Sequence, residues 1–418
     1  MGTDDPQQFA RQLRLERERL ADADIPDADR QAIQQWARRR DGQVAISTLS
    51  TYMQRLRKAA TWSGTPLTDL DEDAYHDLVW RLRHDADYAD SSVRNIENTL
   101  CVWLTGHRGL DWPDNIDRTP TGDAGPSPSD MLRGADIAAL LDGATAQRDV
   151  ALIEFLADTG ARIGLTCSLR VQDVSLDGDR PTFTPNPNSQ ANKGVTDIPR
   201  PLIDSRAPIR TYLRQAHPRS GDPEAALFHK LKGYGDSVAE DDGALEPSPL
   251  TAHLKRIADR AGVDKPVNPH NFRHSAITRM VREGYGRAAI EHRVGWIVDT
   301  DMWSTYQHLS ADEHNDDIFA EAGFIDTDAG QTQGRRRCGN CGESLAPHHD
   351  HCPSCGEAAT PEARERQRDR VDRLLDALAD ASDSLERTDL RILTDATRSH
   401  PSAHESASRS ANSSGSQS

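Results

Sequence analysis

Residues 267–280 read "VNPHNFRHSAITRM". Asn268 suits a helix N-cap, because its side-chain oxygen can take a backbone N–H that the first turn leaves orphaned. Pro269 suits the first helical position. A helix is therefore predicted to start here, with His270 and Arg273 at i and i+3 on one face. A helix N-terminus is also electropositive and offers bare amides. An imidazole, a guanidinium and a positive helix end would meet at one spot, and a phosphate fits that spot better than a neutral ligand.

Three other stretches of the chain join this one. "TGARIGLTCSLRVQDV" (159–174) puts Arg162 after a glycine turn, at the start of an amphipathic helix. "SQANKGVTDIPRPL" (189–202) puts Lys193 at a hairpin tip. "VGWIVDTDMWSTYQHLS" (294–310) supplies Trp296 and, ten residues later, Tyr306. Each residue has a plain alternative. Arg162 and Lys193 could be surface charges. His270 and Arg273 could make local caps or salt bridges. Trp296 and Tyr306 could be core packing. His274 and His308 read as structural.

Taken in order, the four stretches resemble the tyrosine recombinase, or phage integrase, family, whose pattern is R…K…H-x-x-R…H/W…Y. The "GW…Y-x-H-L-S" ending resembles that of the family's archaeal members, and with the acidic, arginine-rich composition it suggests a Xer-like recombinase of haloarchaeal type. The resemblance covers roughly residues 5 to 325. It implies a helical core-binding domain followed by a mixed α/β catalytic domain. Arg162 and Arg273 would grip a scissile phosphate with paired hydrogen bonds. Lys193 would protonate the leaving 5′ oxygen, and His270 would move a proton to or from Tyr306. Trp296, through its indole N–H, would hold a phosphate oxygen where the family more often has histidine. Tyr306 would be the nucleophile, activated by its surroundings. A 3′-phosphotyrosyl link conserves bond energy, so this chemistry needs no metal and no ATP. One position departs: the family usually carries an acid three residues after the first arginine, and here Leu165 stands there.

Composition sets the remaining bounds. The chain has 418 residues, 36% hydrophobic, with net charge -17. No run approaches the roughly 18 apolar residues of a membrane span, and the N-terminus shows no signal pattern, so a cytoplasmic protein is expected. Net acidity argues against nucleic acid. However, of the 50 basic residues only six are lysine, which leaves 44 arginines. That balance looks like an extreme halophile, where the acidity reports habitat; an ordinary acidic protein from a GC-rich genome is the alternative. Cys101 and Cys167 sit in apolar surroundings and read as small core residues.

The expected fold is mainly α with a small antiparallel sheet. Residues 1–112 read as a helical DNA-binding domain. "DADRQAIQQWARRR" carries Ile33, Trp36 and Ala37 on one face, and "STLSTYMQRLRKAATW" carries Leu49, Tyr52, Met53 and Leu56. Arg38, Arg39, Arg40, Arg55, Arg57 and Lys58 could track phosphates or simply be solvated faces. Residues 113–130 read as a linker and 131–328 as the catalytic domain, where "PTFTPNP…GVTDIPRPL" suggests the sheet. A ribbon follows at 335–358 and an amphipathic helix at 361–398, with Leu374, Leu378, Ala381 and Leu385 on one stripe. The Ser-rich tail, 399–418, has too little apolar surface to fold.

"CGNCGESLAPHHDHCPSCG" (338–356) has the spacing C-x2-C-x10-C-x2-C. Paired knuckles of this kind predict a closed, structural zinc site on Cys338, Cys341, Cys352 and Cys355. His348, His349 and His351 in the intervening loop are possible substitutes, and a disulfide pair is the alternative. The adjoining "GRRR" gives a basic edge that would suit DNA or protein.

The expected function is a site-specific recombinase that clamps double-stranded DNA between its two domains and assembles as a tetramer. The alternative is a catalytically impaired DNA-binding or regulatory protein on the same scaffold, with the ribbon as its interaction module.

Overall fold

The computed structural model describes residues 2–121, 127–192, 195–230, 242–296 and 336–381, the side chains of Asp372 and 374–381 excepted. Lys193 and Tyr306 lie outside these residues, as does the predicted tail. The chain divides into two units. Residues 7–125 form one, and residues 1–6 with 126–418 form the other.

The first unit is helical: α1 (Phe9–Ala21), α2 (Asp27–Arg40), α3 (Ile46–Trp62), α4 (Glu72–His84) and α5 (Asp90–Trp103). The predicted faces do close its core. Ile33, Trp36, Ala37, Leu49, Met53 and Leu56 are all buried there, with Leu20, Leu82, Leu100 and Trp103. Tyr52 sits at the margin, its ring 5.5 Å from that of Trp36. Buried carboxylates tie the loops to this core. Asp29 accepts the amides of Leu67 (2.9 Å) and Thr68 (3.0 Å). Glu97 accepts the Tyr75 hydroxyl (3.2 Å) and the Thr119 amide (2.9 Å). The start of the expected linker, up to Thr119, is therefore held against the helices.

The second unit holds α6 (Gly134–Gly143), α7 (Gln147–Thr159), α8 (Ile163–Ser168), α9 (Arg206–Gln215), α10 (Pro247–Ala261), α11 (Pro269–Arg282) and α12 (Arg287–Val294). Between α8 and α9 runs the predicted sheet, three short antiparallel strands in the order β1 (Val174–Ser175), β2 (Thr182–Phe183), β3 (Arg200–Pro201). Its core gathers Leu152, Ile153, Phe155 and Leu156 of α7 with Phe183, Tyr212, Leu254, Ile257 and Phe272. Cys101 and Cys167 are buried core residues, as the sequence suggests. Near the N-terminus, Asp4 accepts hydrogen bonds from the Asn186 side chain and the Gln190 amide, both at 2.9 Å. The hairpin β4 (Arg336–Arg337) and β5 (Ser344–Leu345) opens the cysteine ribbon, and α13 (Pro361–Ala381) follows it. Among the described residues, no helix is long and apolar enough to cross a membrane.

Candidate active site

The site is built where four helices end or begin. Helix α7 stops at Gly160, whose φ of +60° is left-handed and costs glycine little. A Cβ there would also lie 3.2 Å from that of Ala276 and 3.6 Å from the Arg273 Cα, so α7 and α11 meet at this glycine. Two residues on, Arg162 has extended backbone and acts as the N-cap of α8.

Asn268 caps α11 as predicted, accepting the Asn271 amide at 3.0 Å, with Pro269 in the first turn. Arg273 then points inward and is only 4% exposed. Its Nη1 donates to the carbonyls of Gly160 and Val294, both at 2.8 Å. These carbonyls end α7 and α12, the negative poles of two helices. Arg162 Nη1 lies 3.5 Å from the next carbonyl, that of Gly295. Successive carbonyls thus bring the two guanidiniums side by side.

Helix α12 ends with Gly295 at φ +65°, and the Trp296 amide reaches back to the Glu291 carbonyl at 2.9 Å. This Schellman-type closure fixes Trp296. Its indole ring lies 5.4 Å from the Arg273 guanidinium carbon, a cation–π contact. His270, partly exposed at the start of α11, completes the group. Burial, then the charges of Arg273 and Arg162, hold its imidazole below the usual histidine range. Its Nε2 lies 2.7 Å from Nε2 of His274, so one ring donates and the other accepts. Burial and the neighbouring His270 and Arg273 push His274 down to about 4. Four of the six predicted catalytic residues, Arg162, His270, Arg273 and Trp296, therefore converge; the other two lie outside the described residues.

Leu165 faces the hydrophobic core and is 5% exposed. A different carboxylate, overlooked in the sequence, organises this region. Asp158 is buried in the last turn of α7. Its Oδ1 takes Arg293 Nη2 at 2.6 Å. Its Oδ2 takes the amides of Ile203 (2.8 Å), Asp204 (3.1 Å) and Ser205 (3.2 Å), plus the Ser205 hydroxyl (2.7 Å). One carboxylate thus joins the Arg162 turn to α12 and to the start of α9. Arg200 on β3 is the second omission. It donates to the His292 carbonyl (3.0 Å) and to those of Thr196 (3.0 Å) and Ile198 (2.9 Å). In the same place Val195 lies against the Gly295 turn, where a Cβ on the glycine would meet it at 3.0 Å. The signal for Asp158 is faint: an acid within the apolar run of "ALIEFLADTG".

The predicted DNA-binding residues divide. Arg38 and Arg39 are exposed at the end of α2. Arg40 lies over the Trp36 ring (5.3 Å) and Lys58 over the Tyr88 ring (5.2 Å). Arg55 is half-buried beside Thr99. Arg57 is structural, bonded at 2.6 Å to the buried Glu16.

The four ribbon cysteines form one cluster, with ligand atoms within 4.8 Å of one another. Sγ–Sγ separations are 3.5 Å for Cys338–Cys355 and for Cys341–Cys352. That is far from a disulfide bond and close to the roughly 3.8 Å edge of a tetrahedron with 2.3 Å metal–sulfur bonds. The knuckles repeat each other. The Cys338 and Cys352 amides donate to Glu343 and Glu357 carbonyls at 2.8 Å, and Gly342 and Gly356 close the turns at φ +74° and +75°. Burial pushes the Cys338 thiol up, but the Cys341 and Asn340 amides outweigh it and bring it to about 7. The cluster uses thiols alone: His348 and His349 face Glu154 instead.

Comparison with known proteins finds these similarities. Residues 131–313 match the phage integrase family. The tyrosine recombinase XerD of Corynebacterium glutamicum is 32% identical over 184 residues, which cover 44% of this chain and 54% of that protein. The tyrosine recombinase XerA of Thermococcus kodakarensis is 27% identical over 250 residues, covering 59% and 80%. A solved XerH site-specific recombinase bound to its palindromic difH substrate aligns at 16% identity and TM-score 0.49, over 76% of this chain and 98% of that one. Residues 131–313 are thus similar to the phage integrase family, and the chain spans about half the length of the XerD relative.

Proposed function

We propose that this protein is a site-specific recombinase that cuts and rejoins double-stranded DNA through a 3′-phosphotyrosyl intermediate, working as a tetramer on two DNA sites. The observation that carries this reading is the convergence of Arg162, Arg273 and His270 at the N-terminus of α11, with Trp296 under Arg273. Two guanidiniums can hold the non-bridging oxygens of one phosphate and take up the charge that grows in the transition state. The Tyr306 hydroxyl attacks phosphorus, the bond to the 5′ oxygen breaks, and Lys193 gives that oxygen its proton. Nε2 of His270 is committed to His274, so proton exchange with Tyr306 runs through Nδ1. Resealing reverses these steps. Arg38, Arg39, Arg40, Arg55 and Lys58 would contact DNA phosphates from the helical unit. In the ribbon, Cys338, Cys341, Cys352 and Cys355 would hold one structural zinc, with all four positions filled by protein and none left for chemistry.

Trapping on a nicked DNA substrate tests the reading. Wild-type protein is expected to form a covalent adduct and Tyr306→Phe none. Equal adduct from the variant would remove the nucleophile assignment. DNA binding without any wild-type adduct would favour a regulatory protein on this scaffold, consistent with the missing acid at Leu165.

A further inference from the structure

One buried cluster has no part in this chemistry. Glu154, in the middle of α7, is 1% exposed and faces the ribbon. His349 Nε2 lies 2.7 Å from its Oε1, and His348 Nε2 lies 3.2 Å from both its oxygens. Two more contacts extend the joint. A Cβ on Gly134 at the start of α6 would lie 3.5 Å from the His348 Cβ. Thr211 of α9 donates to the Pro353 carbonyl, inside the second knuckle, at 3.0 Å.

We propose that the ribbon's partner is the catalytic unit of its own chain, seated on α6, α7 and α9, with Glu154 as the buried anchor. Three ligand-type side chains could also suggest a second metal site. The hydrogen bonding argues against that. The Ala346 amide donates to Nδ1 of His349 (3.2 Å), so the proton of the neutral ring is on Nε2, aimed at Glu154. Metal-bound histidines do the reverse and donate from their second nitrogen. The ionisation agrees with an ion pair. Burial pushes Glu154 up, but the His348 charge and hydrogen bonds from both rings overcome it and hold the carboxyl at about 2. The same carboxylate raises His348 against its burial.

The seat bears on the active site through α7. Glu154 and Asp158 are i and i+4, on one face of the helix, and Asp158 ties down Arg293 just ahead of the Arg162 turn. This link to catalysis rests on the recombinase reading; the seat itself does not.

Hydrogen exchange of the full-length, zinc-loaded protein tests the seat. In wild type, peptides covering 346–353 and α7 should be protected. In Glu154→Gln and, separately, Thr211→Val, exchange at 346–353 should rise about tenfold or more, while zinc stays at one per chain and DNA binding holds. Unchanged exchange in both variants would overturn the seat. So would two zinc ions in wild type and one in Glu154→Gln, which would mark a metal site. None of these readouts uses catalysis. An inactive wild type would remove the recombinase reading and leave the seat standing.

Discussion

The end of α2 and the inner face of the second unit use arginine in opposite ways. In the second unit Arg200, Arg273 and Arg293 turn inward and bond backbone carbonyls or a buried acid. At the end of α2, Arg38 and Arg39 stand in solvent. An inward guanidinium is held on several sides and fixes the shape around it. An outward one keeps its rotamer freedom and acts only as charge. The same residue type is therefore architecture in one place and, in the proposed function, a phosphate contact in the other.

The comparison breaks most sharply at Asp158. Asp158→Ala leaves Arg293 buried without its counter-charge and leaves the three amides that lead into α9 without their acceptor. Unfolding by urea should show a loss of about 3–5 kcal/mol; a loss under about 1 kcal/mol would deny the clamp. Next comes Arg273→Lys, which keeps the charge but has no second nitrogen to offer a phosphate while the first serves the carbonyls. We expect about 2 kcal/mol of stability to go and phosphotyrosyl adduct to fall below detection; wild-type adduct yield would show that the fork is dispensable.

The third expectation concerns pH. His270 is held below its ordinary 6.5 by burial and by two arginine charges. Its working form is neutral, and that form persists through neutral pH down to the lowered value. The rate of adduct formation should stay flat from pH 8 to about 6.5 and fall only below that. A fall beginning above pH 7 would mean the cations do not act on His270. The smallest effects belong to the outward set. Arg38→Ala and Arg39→Ala should change stability by less than about 0.5 kcal/mol. Each should lower the salt dependence of DNA binding by about one unit of slope; an unchanged slope in both would take α2 out of the DNA interface.

What could be read from sequence was local. Apolar spacing gave α2 and α3 because a helix repeats within a few residues, and Asn268-Pro269 gave the start of α11 because a cap acts within three. The order of Arg162, His270, Arg273 and Trp296 was legible through resemblance. The buried polar joints were not. Asp158 meets Arg293 across 135 positions and Glu154 meets His348 across 194. Nothing in "ALIEFLADTG" announces either partner. Arg57 stayed open in sequence for the same reason: its partner, Glu16, is 41 positions away in another helix.

Arg273 rivets two helix ends together as well as facing the proposed substrate. A descendant that no longer carried out the proposed chemistry would still be under pressure to keep this arginine. Retention of the guanidinium alone is therefore poor testimony that a gene copy is still in service, whereas its loss would signal decay of the whole scaffold.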